Sequence, residues 1–225
     1  MVIDLHTHTR WGSACGYMDP SELVERAKEV GLQGVCITEH NQLWDEKAIE
    51  RLSRKHDFLV IGGVEVSTDY GEVLVFGLHE PVLHVYRAEE LHAMAERAGG
   101  VMIAAHPFRG DRLCADARQG ETEEAVAEAC ARPLFGLVDG MEVCNGRSGV
   151  WEQTFTRRVA ERLGLVATGG SDAHSVLGVG TCVTAVDGTV QTEQDLVRAI
   201  RERRVRAMNG VRARFPDSPM FSYGE

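Results

Sequence analysis

Residues 2–8, Val-Ile-Asp-Leu-His-Thr-His, read as an apolar strand that delivers His6 and His8 at its end, two positions apart. Side chains alternate across a strand, so imidazoles at i and i+2 share a face and can converge on one cation, each giving a nitrogen lone pair. A lone His-x-His arises readily by chance, but this one has company. Glu39-His40, Glu65, His106 and Asp172-Ala-His174 each follow a short apolar run rich in β-branched residues. Groups placed in this way meet if those runs are neighbouring strands of one sheet. Imidazoles and carboxylates gathered at one sheet end are the equipment of a metal-dependent hydrolase.

The elements that must position these groups alternate along the chain. Apolar runs predict strands over 2–6, 34–38, 59–61 with 64–67, 72–78, 101–105, 138–144, 165–168 and 181–186, the third broken at Gly62-Gly63. Helices are predicted over 20–30, 44–55, 88–98, 121–131, 150–163 and 192–203. The first has Asp19 as N-cap, Pro20 at the first helical position, and Leu23, Val24, Ala27 and Val30 on one face. Repeated β/α order implies a parallel α/β sheet covered by helices, and seven or eight units favour closure into a TIM-like barrel. In such barrels the chemistry sits at the carboxyl ends of the strands, which is where every candidate group falls.

At 225 residues, 44% hydrophobic and 26% charged, the chain is sized for one core, and a single domain is expected over 1–214 with an irregular tail over 215–225. A net charge of −10 argues against broad coating of nucleic acid or an anionic membrane, so no stable nucleic-acid complex is expected. A small phosphorylated substrate held through metal remains compatible with that charge. The N-terminus has no apolar core behind a basic start, and no run nears the roughly 20 apolar residues of a membrane span. A cytoplasmic protein without a membrane partner is the expectation. The six cysteines are scattered, which predicts reduced thiols. Arginines at 198, 201, 203, 204, 206, 212 and 214 make the C-terminal segment basic. Without aromatic residues interleaved to stack bases, they read as a solvated face pairing with acidic helices such as 121–131.

Five segments together resemble the polymerase-and-histidinol-phosphatase, or PHP, domain family of metal-dependent phosphoesterases. They are Asp4-Leu5-His6-Thr7-His8-Thr9, Ile37-Thr38-Glu39-His40-Asn41, Gly63-Val64-Glu65-Val66-Ser67-Thr68, Ala105-His106-Pro107-Phe108-Arg109 and Gly170-Ser171-Asp172-Ala173-His174. The likeness spans residues 1 to about 185. It implies a distorted (β/α)7 barrel and a cluster of two or three divalent metals, commonly zinc, manganese or iron. His6, His8, His40, Glu65, His106, Asp172 and His174 match the family's metal ligands position by position. Three positions depart from the pattern. Glu39 stands where many members have Asp, and is expected to orient ligands from behind. Glu72 stands where many have histidine, a harder donor that favours manganese or iron. The loop after His8 offers only Ser13 and Cys15, so Glu72 and Cys15 are the remaining metal candidates.

The resemblance also implies a mechanism in which two metals roughly 3.5–4 Å apart bridge a hydroxide and hold a phosphoryl oxygen for in-line attack. Asp172 is the candidate bridging ligand or proton handler. Arg109, three residues after His106, is a candidate phosphate clamp with a catalytic role, and Arg147 a second substrate contact. His56, His79, His84 and His92 lack matching partners and are expected to be structural or superficial. About 33 residues separate Glu72 from His106 and about 65 separate His106 from Asp172, which leaves little room for a capping domain. An open site suits a small phosphomonoester, nucleotide or metabolite, with a phosphodiesterase or exonuclease acting on oligonucleotide ends as the alternative. An amidohydrolase and a non-catalytic metal-binding module are the readings from other classes.

Overall fold

A computed structural model describes residues 1–82, 87–117 and 122–210. His84, Arg212, Arg214 and the segment 215–225 lie outside the described residues. The elements in order are β1 (Val2–Asp4), α1 (Pro20–Glu29), β2 (Gly34–His40), α2 (Glu46–His56), β3 (Leu59–Thr68), β4 (Gly71–Phe76), α3 (Ala88–Ala98), β5 (Val101–Ala104), α4 (Arg112–Ala117), α5 (Thr122–Cys130), a 3-10 turn (Pro133–Gly136), β6 (Gly140–Asn145), α6 (Val150–Leu163), β7 (Val166–Gly170), β8 (Cys182–Val186), α7 (Glu193–Arg201) and β9 (Val205–Asn209).

The α1 start follows its sequence signals. Asp19 accepts a hydrogen bond from the Ser21 backbone N–H at 2.9 Å, and Glu22 reaches back to the Asp19 N–H at 2.7 Å, a reciprocal capping box. The predicted face is buried, and each fully buried leucine or valine on it contributes about 1.5–3 kcal/mol.

Nine strands form one sheet in the order β7-β6-β5-β4-β3-β2-β1-β8-β9. β1, β2 and β3 are parallel, as are β5, β6 and β7, but β4 is antiparallel to both its neighbours, and β8 is antiparallel to β1 and β9. The all-parallel expectation is therefore corrected. The short turn at Tyr70-Gly71 can only return the chain as a hairpin, because a parallel return needs a crossover. A consequence is that Glu72, at the start of β4, lies beside Ser67 at the same end of the sheet as Glu65. The expected break at Gly62-Gly63 is also absent. Both glycines stay in register with β2, opposite Ile37 and Thr38, and β3 runs unbroken.

The sheet curls until its seventh strand returns to its first. Beyond β1 the chain continues extended, and Thr7 bridges Ala173 in parallel, with Asp172 N–H donating to His6 O at 2.7 Å and His8 N–H to Ala173 O at 2.9 Å. This gives an α/β fold with a nearly closed, distorted barrel of seven strands. The closure itself sets the first histidine pair against the last Asp-x-His pair. At the opposite end α7 packs Leu196, Val197 and Ile200 against Ile3, Leu5, Phe76 and Ile103.

Among the described residues, Arg198, Arg201 and Arg204 pair locally and not with the helix over 121–131 as expected. Arg198 pairs with Asp195, Arg201 donates to Gly100 O at 2.8 Å, and Arg204 holds Glu202 and Asp187 O at 2.7 and 2.6 Å. Glu123 of α5 pairs instead with Arg158 and Arg162 of α6. All six cysteines are free. Among the described residues no helix is long and apolar enough to cross a membrane.

Candidate metal centre

His6 and His8 leave the end of β1 on one side of the chain, as the i, i+2 spacing requires, and both are fully buried. Their Nε2 atoms face each other at 3.0 Å. The other nitrogen of each ring is tied down. His6 Nδ1 lies 3.0 Å from Glu142 Oε1. An ionised carboxylate can only accept, so that bond places a proton on Nδ1 and turns the Nε2 lone pair inward. His8 Nδ1 lies 3.2 Å from the Ser13 hydroxyl, which in turn donates to Glu39 Oε2 at 2.5 Å. Glu39 therefore braces His8 through Ser13. Thr9 and the Trp44 indole N–H complete its partners.

Glu65, from the middle of β3, is the hub. Its Oε1 takes His106 Nε2 at 3.0 Å. Its Oε2 lies 2.9 Å from His40 Nδ1 and 3.3 Å from both His6 Nε2 and His8 Nε2, yet makes no hydrogen bond of acceptable geometry. Asp172 Oδ1 stands 3.3 Å from His8 Nε2 and 3.6 Å from His6 Nε2. Four buried donors thus face one another, with Glu65 Oε2 free of any well-formed hydrogen bond, an arrangement that suits a cation.

Further donor sets adjoin these four. His8, His40 and His174 can converge on one ion, and so can His40, Glu65 and Glu72. The mixture of imidazole nitrogens with carboxylate oxygens suits borderline divalent cations. The residues present therefore fit a divalent-metal cluster. Cys15 is exposed and belongs to none of the candidate sets among the described residues.

The backbone is bent to make these approaches. Asn41, His106 and Asp172 adopt positive φ (54°, 28° and 52°), a conformation that costs non-glycine residues energy and persists where surroundings enforce it. Gly170 is needed for a different reason. A Cβ there would meet His6 Cβ at 2.4 Å and Glu142 Oε1 at 2.7 Å.

Charge in the pocket is strongly coupled. Burial opposes a charged His6, but Glu142, Glu65 and Asp172 outweigh it and raise its pKa well above the ordinary value. Burial likewise opposes ionised Asp172, yet His6, His8 and Arg109 hold its carboxyl far below the usual range. His174 is lowered, chiefly by burial.

Arg109 and Arg147 both reach the centre. Arg109 Nη2 donates to Asp172 Oδ2, and to Asn145 Oδ1 at 2.8 Å, while its Nε is buried without a partner. Arg147 is exposed and lies 3.0 Å from His174 Nδ1. Of the four histidines set aside, His92 is structural, its Nδ1 lying 2.8 Å from Leu137 O.

Two buried acids went unread in the sequence. Glu142 accepts from His6 Nδ1 through one oxygen and from His106 N–H (3.0 Å) and Asn145 Nδ2 (2.9 Å) through the other. With both oxygens engaged, it suits orientation better than ligation, although His6, His106 and Glu142 also lie close enough to share an ion. Its signal was the lone carboxylate of the strand Gly140–Asn145, within the run 138–144 that also holds Asp139. Asp4 accepts backbone N–H bonds from Ser171 (2.8 Å), Gly180 (3.0 Å) and His6 (3.3 Å), pinning the barrel closure. Burial pushes its carboxyl up to about 6.

Comparison with known proteins agrees with this geometry. Residues 4–131 match the model of the PHP domain and residues 153–205 that of a PHP-associated segment. Uncharacterized protein MJ1587 of Methanocaldococcus jannaschii is 25% identical over 175 residues, covering 72% of this chain and 94% of that protein. The 5′-3′ exoribonuclease Rnm of Escherichia coli is 34% identical over 101 residues, covering 43% of this chain and 34% of that enzyme. Among solved structures, a two-domain protein from Bacteroides vulgatus, described as containing a predicted PHP-like metal-dependent phosphoesterase, shares the fold with a TM-score of 0.68 at 20% identity. That match covers 93% of this chain and 65% of the other.

Proposed function

The chain belongs to the PHP domain family, and on that premise we propose that it is a metal-dependent phosphatase acting on small phosphomonoesters such as nucleotides or metabolite phosphates. The observation that carries this reading is the convergence of His6, His8, Glu65 and Asp172, with Glu65 Oε2 free of any well-formed hydrogen bond. His40, His106, His174 and Glu72 extend the donor set to two or three ions. Zinc, manganese or iron held by these residues would supply a water of lowered pKa and Lewis-acid stabilisation of the phosphoryl and leaving oxygens.

The chain's own residues do the rest. Asp172 stays ionised at neutral pH, so it orients donors around it and does not itself store a proton. Arg109 is partly exposed and holds its guanidinium against Asp172, which leaves other N–H groups of the fork for a non-bridging phosphate oxygen. Arg147, exposed beside His174, offers a second positive group on the solvent side. His174 has its pKa lowered, chiefly by burial, which keeps its imidazole neutral and its lone pair available to a cation. His40 and Glu72 are one-third or more exposed, which opens this side to substrate.

A phosphodiesterase acting on oligonucleotide ends is the second reading, favoured by the likeness of 101 residues to an exoribonuclease. The deciding experiment is phosphate release by metal-reconstituted protein from histidinol phosphate, nucleoside mono- and bisphosphates and 5′-phosphorylated oligonucleotides. Inorganic phosphate from the small monoesters supports the proposal. Nucleotides released from oligomers, with no inorganic phosphate from any monoester, would replace it with the second reading.

A further inference from the structure

Among the described residues the exposed large hydrophobic side chains are Trp11, Tyr17, Tyr70, Val150 and Leu177. All five leave the carboxyl ends of the parallel strands: two between β1 and α1, one in the β3–β4 turn, one at the start of α6 after β6, and one between β7 and β8. Isolated exposed apolar residues are ordinary, but their confinement to the loops at one end of the barrel is not.

Trp11 is the most constrained of them. A Cβ on Gly12 would come within 2.4 Å of Glu39 Cγ, so the chain here lies directly on the Glu39 side chain. Ser13 then bonds both Glu39 and His8. Trp11 is thereby seated beside the centre, three residues after His8. Its Nε1–H donates to Asp19 Oδ2 at 3.2 Å, and the same oxygen accepts from Arg10 at 2.8 Å. The ring is fixed, yet 67% exposed. Behind it, at 6.5 Å between centroids and 33° between planes, stands Trp44. Trp44 is fixed in the same way, its Nε1–H donating to Glu39 Oε1 at 3.2 Å. Two indoles held through their N–H groups, on the loops that follow His8 and His40, stand tilted side by side, and the Trp11 ring is largely open to solvent.

We infer that Trp11 determines specificity by stacking its free indole face on the planar base of a nucleotide whose phosphate lies at the metal centre. This rests on the phosphoesterase reading and names its substrate class. A flat, immobilised π-surface orients a base of any identity at low entropic cost, whereas a flexible aliphatic or glyceryl group gains little from it. Arg109 and Arg147 belong to the phosphate end of such a substrate, and Trp11 to its base.

The test compares adenosine 5′-monophosphate with glycerol 2-phosphate on metal-reconstituted protein. Trp11→Ala raises KM for the nucleotide about tenfold or more with kcat unchanged, the sign of lost uniform binding, and moves KM for glycerol 2-phosphate by less than about twofold. Trp11→Phe, which keeps a ring and lacks the N–H, recovers most of the loss. Calorimetric binding of the non-hydrolysable 5′-phosphonate analogue of adenosine monophosphate weakens by the same factor in Trp11→Ala, at unchanged metal content. Equal changes for both esters, or no change in KM and phosphonate affinity, would overturn the inference. If wild-type protein hydrolyses neither ester, the phosphoesterase reading fails separately, and phosphonate binding still decides whether Trp11 stacks.

Discussion

The two sides of the Glu65 carboxylate are built to different standards. On the His6 side every ring is fixed from behind: Glu142 holds His6 and the His106 backbone, Ser13 holds His8, and all these groups are buried or nearly so. On the His40 side the rings of His40 and His174 and the Glu72 carboxylate are partly exposed, and Arg147 leans on His174 from solvent. Orientation from behind with desolvation gives tight, geometrically specific cation binding, while exposure gives access. On the proposed reading, a cation would be held more tightly on the buried side, and substrate would approach from the open side.

The largest effects are expected where the buried side is broken. His6→Ala and Asp172→Ala each lose more than about a thousandfold in hydrolysis along with metal, with the circular dichroism of the barrel retained. Full activity in either variant would remove the buried centre from the account. Glu142→Gln keeps the volume but substitutes an amide for one acceptor, and a drop of about 10- to 100-fold in metal affinity or activity is expected. Equilibrium dialysis against the metal checks it, and wild-type affinity would reduce Glu142 to a packing group.

Effects of about tenfold come next. Glu142, Glu65 and Asp172 raise the His6 pKa against its burial, so a proton competes with metal for Nε2. Metal uptake should release protons, and affinity should rise about tenfold per pH unit per proton displaced until pH passes that raised value. Calorimetry in two buffers of different ionisation enthalpy reads the proton count, and uptake without release contradicts the assignment. Arg109→Ala should raise KM about tenfold with metal content unchanged. Unaltered kinetics would leave Arg109 as a strut for Asp172 and Asn145. The smallest change belongs to the open side: Glu72→Gln should lower activity by less than about fivefold while reducing the ion count per chain. A loss as large as that of His6→Ala would erase the distinction between the sides.

Much of this centre was legible because strand spacing and strand ends carry direct geometric meaning. An i, i+2 pair shares a face, and groups that close parallel strands share an end, so His6, His8, His40, Glu65, His106, Asp172 and His174 could be read as one set. Glu142 could not, since one acid inside a buried run gives no periodic signal of what it will touch. Asp4 sat in plain view within a motif, but its three backbone partners come from residues 6, 171 and 180, which only closure brings together. The reversal of β4 was readable from its turn and was overridden by the expectation of uniform β/α units. β9 was hidden because its five residues, Val-Arg-Ala-Met-Asn, follow directly on Arg201, Arg203 and Arg204 and were read with them as a charged surface segment.

The most direct test of the central claim is a stepwise metal titration of chelator-stripped protein, following phosphate release from a small monoester alongside ions bound per chain, for wild type and His6→Ala. The account predicts no turnover without metal, restoration as the buried position fills, and no restoration in His6→Ala at the same metal concentrations. Turnover in the stripped protein, or equal restoration in His6→Ala, would contradict it.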